Sequence, residues 1–142
     1  MTCYVDTSVL VALCVNEARS EDVSRWYANC TEKLVSSVWC VTEFASALGI
    51  KQRTGQINSD QAQRAWQRFQ QLCTHDLTLL SPDAALFHQA ALSTLDAATG
   101  LRAGDALHLT SAVQAHVKYM ATLDEVFAKN AKLRGIGVVV FG

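Results

Sequence analysis

Four carboxylates stand out for the company they lack. Asp6 is the only charged residue among the first sixteen positions, set between Val5 and the apolar run Val9-Leu10-Val11-Ala12-Leu13. Glu43 lies in the helical stretch 38–52, where its neighbours three and four positions away are Trp39, Cys40, Ser46 and Ala47, none of them a cation. Asp105 follows Gly104 at the start of a helical pattern carrying Leu107, Leu109, Ala112 and Val113, and Asp124 follows an apolar strand pattern ending at Thr122. Singly, Asp6 reads as a turn residue and Asp105 or Asp124 as an aid to a helix N-terminus. Glu43 is harder to dismiss, because an unpaired carboxylate on an apolar helix face is costly to bury. Brought together, the four would repel strongly, by about 4 kcal/mol for a pair about 4 Å apart at an intermediate dielectric. A hard divalent cation relieves such repulsion: Mg²⁺ or Mn²⁺ prefers oxygen ligands, keeps waters, and uses few carboxylates plus a substrate phosphate. The chemistry that follows is metal-assisted phosphodiester hydrolysis.

The elements that must position these acids are legible as alternating short β-prone runs and longer helical patterns. The strand candidates are 3–5, 34–38, 77–80, 117–122 and 137–141; several are apolar without strict alternation, as when helices cover both faces of a sheet. Asn58-Ser59-Asp60 offers a helix cap, and Ser81-Pro82-Asp83 suggests a cap, a proline at the first helical position and an acid in the first turn. Gly55, Gly100 and Gly135 follow helical runs where a left-handed closing residue is useful. The order strand–helices–strand–helices–strand–helix–strand–helix–strand predicts an α/β fold with a central, mostly parallel five-stranded sheet flanked by helices, as one domain over 1–142. Working sites in such sheets lie beyond the carboxyl ends of the strands, where Asp6 and Asp124 fall.

Composition narrows the class. A chain of 142 residues that is 50% hydrophobic and 18% charged has enough apolar material for one core and is not a disordered segment. No uncharged early run approaches the ~20 residues of a membrane span, and no basic N-terminal region precedes the apolar stretch, so neither a membrane partner nor a secretory leader is expected. The five cysteines, Cys3, Cys14, Cys30, Cys40 and Cys73, are odd in number and show no Cys-x-x-Cys pair, which predicts a reducing, cytoplasmic setting. The net charge of −1 does not advertise a nucleic-acid binder, yet setting the four acids aside turns the balance positive.

The motifs around the acids resemble those of PIN-domain ribonucleases of the VapC toxin type, in the same order along essentially the whole chain. They are Tyr4-Val5-Asp6-Thr7-Ser8-Val9-Leu10; Ser36-Ser37-Val38 with Thr42-Glu43-Phe44 and Ala47-Leu48; Leu101-Arg102-Ala103-Gly104-Asp105-Ala106-Leu107-His108-Leu109; and Ala121-Thr122-Leu123-Asp124 with Phe127. The resemblance implies a Rossmann-like sheet and Mg²⁺- or Mn²⁺-dependent cleavage of RNA. It implies an acidic pocket of Asp6, Glu43, Asp105 and Asp124 serving as catalytic and metal-binding residues. Ser8 would support a carboxylate, and Thr122 would orient Asp124 or a metal-bound water. The fourth acid is the less constant position in that family, and here Glu125 stands beside Asp124 as a second acid. The resemblance also implies a small antitoxin protein as partner, and a homodimer. The alternative is an interaction module that keeps the pocket and binds nucleic acid or protein with little or no turnover.

Arg102, three residues before Asp105, is expected near the pocket, paired with that carboxylate or with substrate phosphate. Lys51, Arg53, Arg64 and Arg68 read first as a solvated helix surface and second as phosphate contacts. The histidines show no metal-ligand spacing, and His108, between Leu107 and Leu109, reads as a structural or rim residue. Trp26, Trp39 and Trp66 read as packing residues. Rival chemistries lack their residues: there is no acid pair after the first strand, Ser8 stands where an Asp-x-Asp phosphatase needs its second acid, and no Gly-x-Ser-x-Gly elbow exists.

Overall fold

The structure is a computed structural model that describes residues 2–142. Its elements run β1 (Thr2–Val5), α1 (Thr7–Cys14), α2 (Ser20–Asn29), β2 (Lys33–Ser37), α3 (Trp39–Arg53), α4 (Ser59–His75), β3 (Leu77–Leu80), α5 (Ala84–Leu95), a 3₁₀ turn (Ala97–Thr99), α6 (Ala103–Gln114), β4 (Tyr119–Ala121), α7 (Glu125–Leu133) and β5 (Gly137–Val138). All the strand pairings are parallel, in the order β3-β2-β1-β4-β5. The chain lays down β1, β2 and β3 in one direction and then returns to place β4 on the other side of β1. That reversal puts the carboxyl ends of β1 and β4 side by side at the topological switch point, the usual location of a site in an open α/β sheet.

The alternation of side chains along the central strands divides the core into two layers. Cys3 and Val5 of β1 and Ala121 of β4 join one apolar cluster with residues of α1 to α4. Tyr4 and Met120, one position out of phase, join a second cluster with α5, α6 and α7. β1 is buried on both faces, which explains its continuous apolar run without polar alternation. In the first layer Phe44 of α3 stacks on Phe69 of α4 with ring centroids 4.2 Å apart, and Trp66 leans against both. Trp26 packs edge-on against Phe141. The cysteines are all free; Cys3, Cys14 and Cys40 are buried and act as small apolar residues.

Local chemistry sets the element ends. Asn58 caps α4 in a reciprocal box with Gln61. At α5 the cap is Asp83, whose carboxylate accepts from Leu86 N, so Ser81 and Pro82 precede the helix and do not open it. Two helices separate β3 from β4, where the sequence pattern predicts one. Gly100, at φ 67°, turns the chain between the 3₁₀ segment and α6, and only glycine enters that left-handed region freely. The first, second and third strands fall within a residue of their expected bounds, whereas β4 (Tyr119–Ala121) and β5 (Gly137–Val138) are shorter than the predicted 117–122 and 137–141. Among the described residues no helix is long and apolar enough to cross a membrane.

Candidate active site

Asp6 leaves the end of β1 and caps α1, and its carboxylate accepts three hydrogen bonds, one on Oδ1 and two on Oδ2. Oδ1 accepts from Thr7 N at 2.8 Å; Oδ2 accepts from the hydroxyls of Ser8 at 2.8 Å and Thr122 at 2.9 Å. The residue is 5% exposed. Thr122, at the end of β4, in turn accepts from Asp124 N, and Ser8 accepts from Leu123 N, so the β1 and β4 ends are tied through Asp6. Asp124 itself is exposed and caps α7 by accepting from Phe127 N at 3.0 Å. Thr122 therefore orients Asp6 by its hydroxyl and meets Asp124 only at the backbone.

Glu43 is delivered by the second turn of α3 and has partners from other elements. Oε1 accepts from the Thr7 hydroxyl at 2.7 Å and from His108 Nε2 in a very short contact. The other oxygen, Oε2, lies against the backbone of Gly104 in α6: a Cβ added there would stand 2.5 Å from it and 3.3 Å from Trp39 Nε1. Trp39 Nε1 is buried without a hydrogen-bond partner of normal geometry, facing this same spot. Burial pushes the Glu43 carboxyl up, but the His108 hydrogen bond and charge, with Thr7 and Trp39, outweigh it and hold the group below its ordinary range. The relief absent from Glu43's own helix is thus supplied by a histidine on another one.

Asp105 is the contrary case. It sits in the first turn of α6, half-buried, and its carboxylate makes no hydrogen bond or ion pair among the described residues. Burial, followed by the charges of Asp6, Asp124 and Glu43, pushes it up to about 6, with only His108 pulling the other way. All four acids therefore share one electrostatic environment, and among the described residues no lysine or arginine is paired with any of them.

Among the described residues no three His, Cys, Asp or Glu side chains converge closely enough to form a ready-made metal cage. Mg²⁺ does not require one, since it retains several waters and binds through one or two carboxylates plus substrate oxygens. The donors available are hard oxygens: Asp105 without a partner, and Glu43 Oε2 beside a glycine. A small hard cation fits this set, and a soft, thiolate-seeking metal does not.

The profile of the PIN domain family matches residues 3–133. The chain belongs to the PIN domain family. Solved structures share this PIN fold over nearly their whole length. The sarcin-ricin-loop-cleaving toxin VapC20 of Mycobacterium tuberculosis is similar at a TM-score of 0.79 and 17% identity, covering 99% of each chain. FitAcB from Neisseria gonorrhoeae gives 0.69 and 18%, covering 97% of this chain and 96% of that one. VapBC2 from Rickettsia felis, bound to a DNA fragment from its promoter, gives 0.64 and 14% over both full chains. No curated protein sequence matches the chain significantly.

Some residues of this PIN domain differ from what the sequence pattern suggests, whereas Arg64 and Arg68 keep the solvated helix surface expected of them. Arg102 is the N-cap of α6, exposed, and paired with neither Asp105 nor another acid among the described residues. Lys51 is committed to Glu17 at 2.8 Å. Arg64 and Arg68 are exposed on α4 and line a cleft with Cys14 and Ala65 whose walls include none of the four acids. His108 is not a rim residue: it is fully buried and hydrogen-bonded to Glu43. Thr7, Tyr4 and Gly104 also shape the site, and the sequence marks each only as part of a motif. A usable signal was the polar residue in each apolar run, Thr7 after Asp6 and His108 amid Leu107 and Leu109, since buried polar groups need partners.

Proposed function

We propose that this PIN domain is an Mg²⁺- or Mn²⁺-dependent endoribonuclease and the toxin of a toxin–antitoxin pair. The observation that carries the reading is Asp105: a carboxylate with no hydrogen-bond donor and no cationic partner among the described residues, held near three other acids at a sheet switch point, with its pKa raised to about 6. Such a cluster is destabilising by itself and becomes favourable when a cation is bound, as perturbed acids at functional sites commonly are. Support also comes from the fold shared with a toxin described as cleaving the sarcin-ricin loop and with the VapBC2 complex.

Asp105 and Glu43 would hold the cation, with Asp6 and Asp124 completing the negative field around it. When bound, the ion supplies charge neutralisation at the phosphate and a more acidic water for phosphodiester hydrolysis. The chain's own contribution is rigidity and charge. Ser8, Thr122 and Thr7 N fix Asp6 from three sides, while Thr7 and His108 fix Glu43. The absence of a lysine or arginine partner keeps the acids available to a cation. Arg102, exposed at the head of the helix that carries Asp105, is free to meet a backbone phosphate of RNA. A small antitoxin protein and a second copy of the chain complete the reading; exposed Leu92 and Leu95 on α5 and Leu133 on α7 give apolar surface for protein contact.

The test is incubation of the purified protein with total cellular RNA and Mg²⁺ or Mn²⁺, with sequencing of the new ends. Discrete cleavage sites should form, disappear with chelator, and be absent with Asp6→Asn. RNA binding without new ends under either metal would overturn the assignment and favour a module without turnover.

A further inference from the structure

A buried polar chain runs through the apolar layer between the sheet and α6. The backbone N–H of Ser37, at the end of β2, donates to the Tyr4 hydroxyl at 3.0 Å. That hydroxyl meets His108 Nδ1 at 2.6 Å, and the two rings pack edge-on with centroids 5.6 Å apart. His108 Nε2 then reaches Glu43 Oε1, and Thr7 Oγ1 stands 3.3 Å from the same nitrogen. Tyr4 and His108 are both 0% exposed, whereas the Glu43 side chain at the end of the chain is 28% exposed.

The cost of this arrangement argues for a role beyond stability. A hydroxyl and an imidazole taken out of water gain little over apolar residues of similar shape, even when all their hydrogen bonds are made. Buried ionic pairs are likewise weak contributors to stability. What the chain does accomplish is geometric. Carboxylate Nε2 contact requires the hydrogen at Nε2 to point at Glu43, and the Tyr4 hydroxyl, itself anchored on a backbone amide, fixes the plane of the imidazole. Burial pushes the Tyr4 phenol well above its ordinary range, so the hydroxyl stays protonated. Glu43 Oε1 is consequently filled by two donors, and Oε2 is left beside the Trp39 indole N–H and against the one residue in α6, Gly104, that has no side chain to cover it.

We propose that Tyr4 and His108 are positioning residues that lock Glu43 into a single orientation, sealing Oε1 so that Oε2 is the oxygen presented to a divalent cation. The proposal rests on the reading of the acids as a cation site and adds how one ligand of that site is held. Partners that only orient a metal ligand typically change metal affinity by roughly 10- to 100-fold when removed.

Two substitutions at one position separate positioning from packing. In His108→Gln the amide nitrogen occupies the place of Nε2 and can still donate to Glu43; in His108→Asn the shorter side chain keeps a partner for Tyr4 and loses Glu43. Calorimetric titration with Mn²⁺, together with metal-free melting temperature, is the readout, with wild type and Asp105→Asn alongside. Affinity should fall roughly 10-fold or more in His108→Asn and be restored to within a few-fold in His108→Gln. Tyr4→Phe, which removes one oxygen, should weaken Mn²⁺ several-fold and serves as the deciding variant if His108→Asn does not fold. Unchanged Mn²⁺ affinity in His108→Asn, or in Tyr4→Phe where that variant decides, overturns the positioning role alone. Equal weakening in His108→Gln and His108→Asn, tracking lost melting temperature, does so as well. A wild-type protein that binds no Mn²⁺ overturns the cation reading, and this proposal with it.

Discussion

Asp6 and Asp105 are acids of one pocket in opposite states. Asp6 is buried and accepts three hydrogen bonds, and its carboxylate ties the end of β1 to the start of α1 and the end of β4. Asp105 is half-buried and accepts none, and burial together with its acidic neighbours raises its pKa to about 6. The first behaves as a structural member whose negative charge is already solvated by protein donors. The second carries the unrelieved part of the cluster's charge. The comparison teaches that proximity of acids does not make them equivalent: a cation entering this pocket gains most from Asp105, and the frame that keeps Asp105 in place depends most on Asp6.

Substitutions can break this contrast in order of size. Asp105→Asn should lower RNA cleavage by more than the roughly 100-fold upper range seen for groups that merely orient a metal ligand, measured as initial rates at saturating Mg²⁺. Stability should move in opposite directions at the two positions. Asp6→Ala removes a helix cap and strands the Ser8 and Thr122 hydroxyls, costing about 2 kcal/mol or more in denaturant unfolding. Asp105→Asn should instead stabilise the metal-free protein at pH 8 by about 1–2 kcal/mol, after allowance for solvent screening of a half-buried group. The sign follows from the raised pKa. The folded chain holds the Asp105 proton more tightly than the unfolded chain does, so this residue costs nothing below the ordinary carboxylate pKa and costs progressively more as pH rises through about 6. The gain in Asp105→Asn should therefore vanish near pH 4, and Mg²⁺ at pH 8 should raise the wild-type melting temperature more than that of the variant.

Smaller effects sharpen the same picture. Gly104→Ala places a methyl group 2.5 Å from Glu43 Oε2. Alanine is the better helix former by about 0.8–1 kcal/mol, which offsets the strain of moving Glu43, so unfolding should stay near wild type while Mn²⁺ affinity falls. The smallest effect is expected at Arg102, which has no ion pair to lose. Arg102→Ala should change stability by no more than about 0.5 kcal/mol and show itself as weaker RNA binding with a shallower salt dependence.

Much of this organisation is legible in the residues. The short apolar runs, the acid following each of two strands, and the glycines at helix ends suffice for a parallel α/β sheet with its site at the carboxyl edge. The limits of that reading have physical causes. Glu43 looks unpaired because helical spacing reveals only neighbours on its own helix, whereas its partner His108 lies 65 residues away and is brought in by the packing of α6 on α3. His108 between two leucines looks like a residue of an apolar face, because burial and hydrogen bonding to an acid leave the same mark on a sequence. Ser81-Pro82 resembles a helix start until Asp83, with a carboxylate reaching the amide three residues on, takes that role. Arg102, three residues from Asp105 on one helix end, sends its side chain to solvent and not to that carboxylate, a direction that spacing does not specify.

The central claim, that the cluster carries charge awaiting a cation, is tested most directly by following the Asp105 side-chain carboxyl carbon by NMR during a pH titration, in chelator and then in Mg²⁺. The predicted midpoint is near pH 6 without metal and below the ordinary aspartate range with it. A midpoint near the ordinary value of 3.8 in both solutions would show that Asp105 feels neither its acidic neighbours nor a bound ion, and would contradict the account.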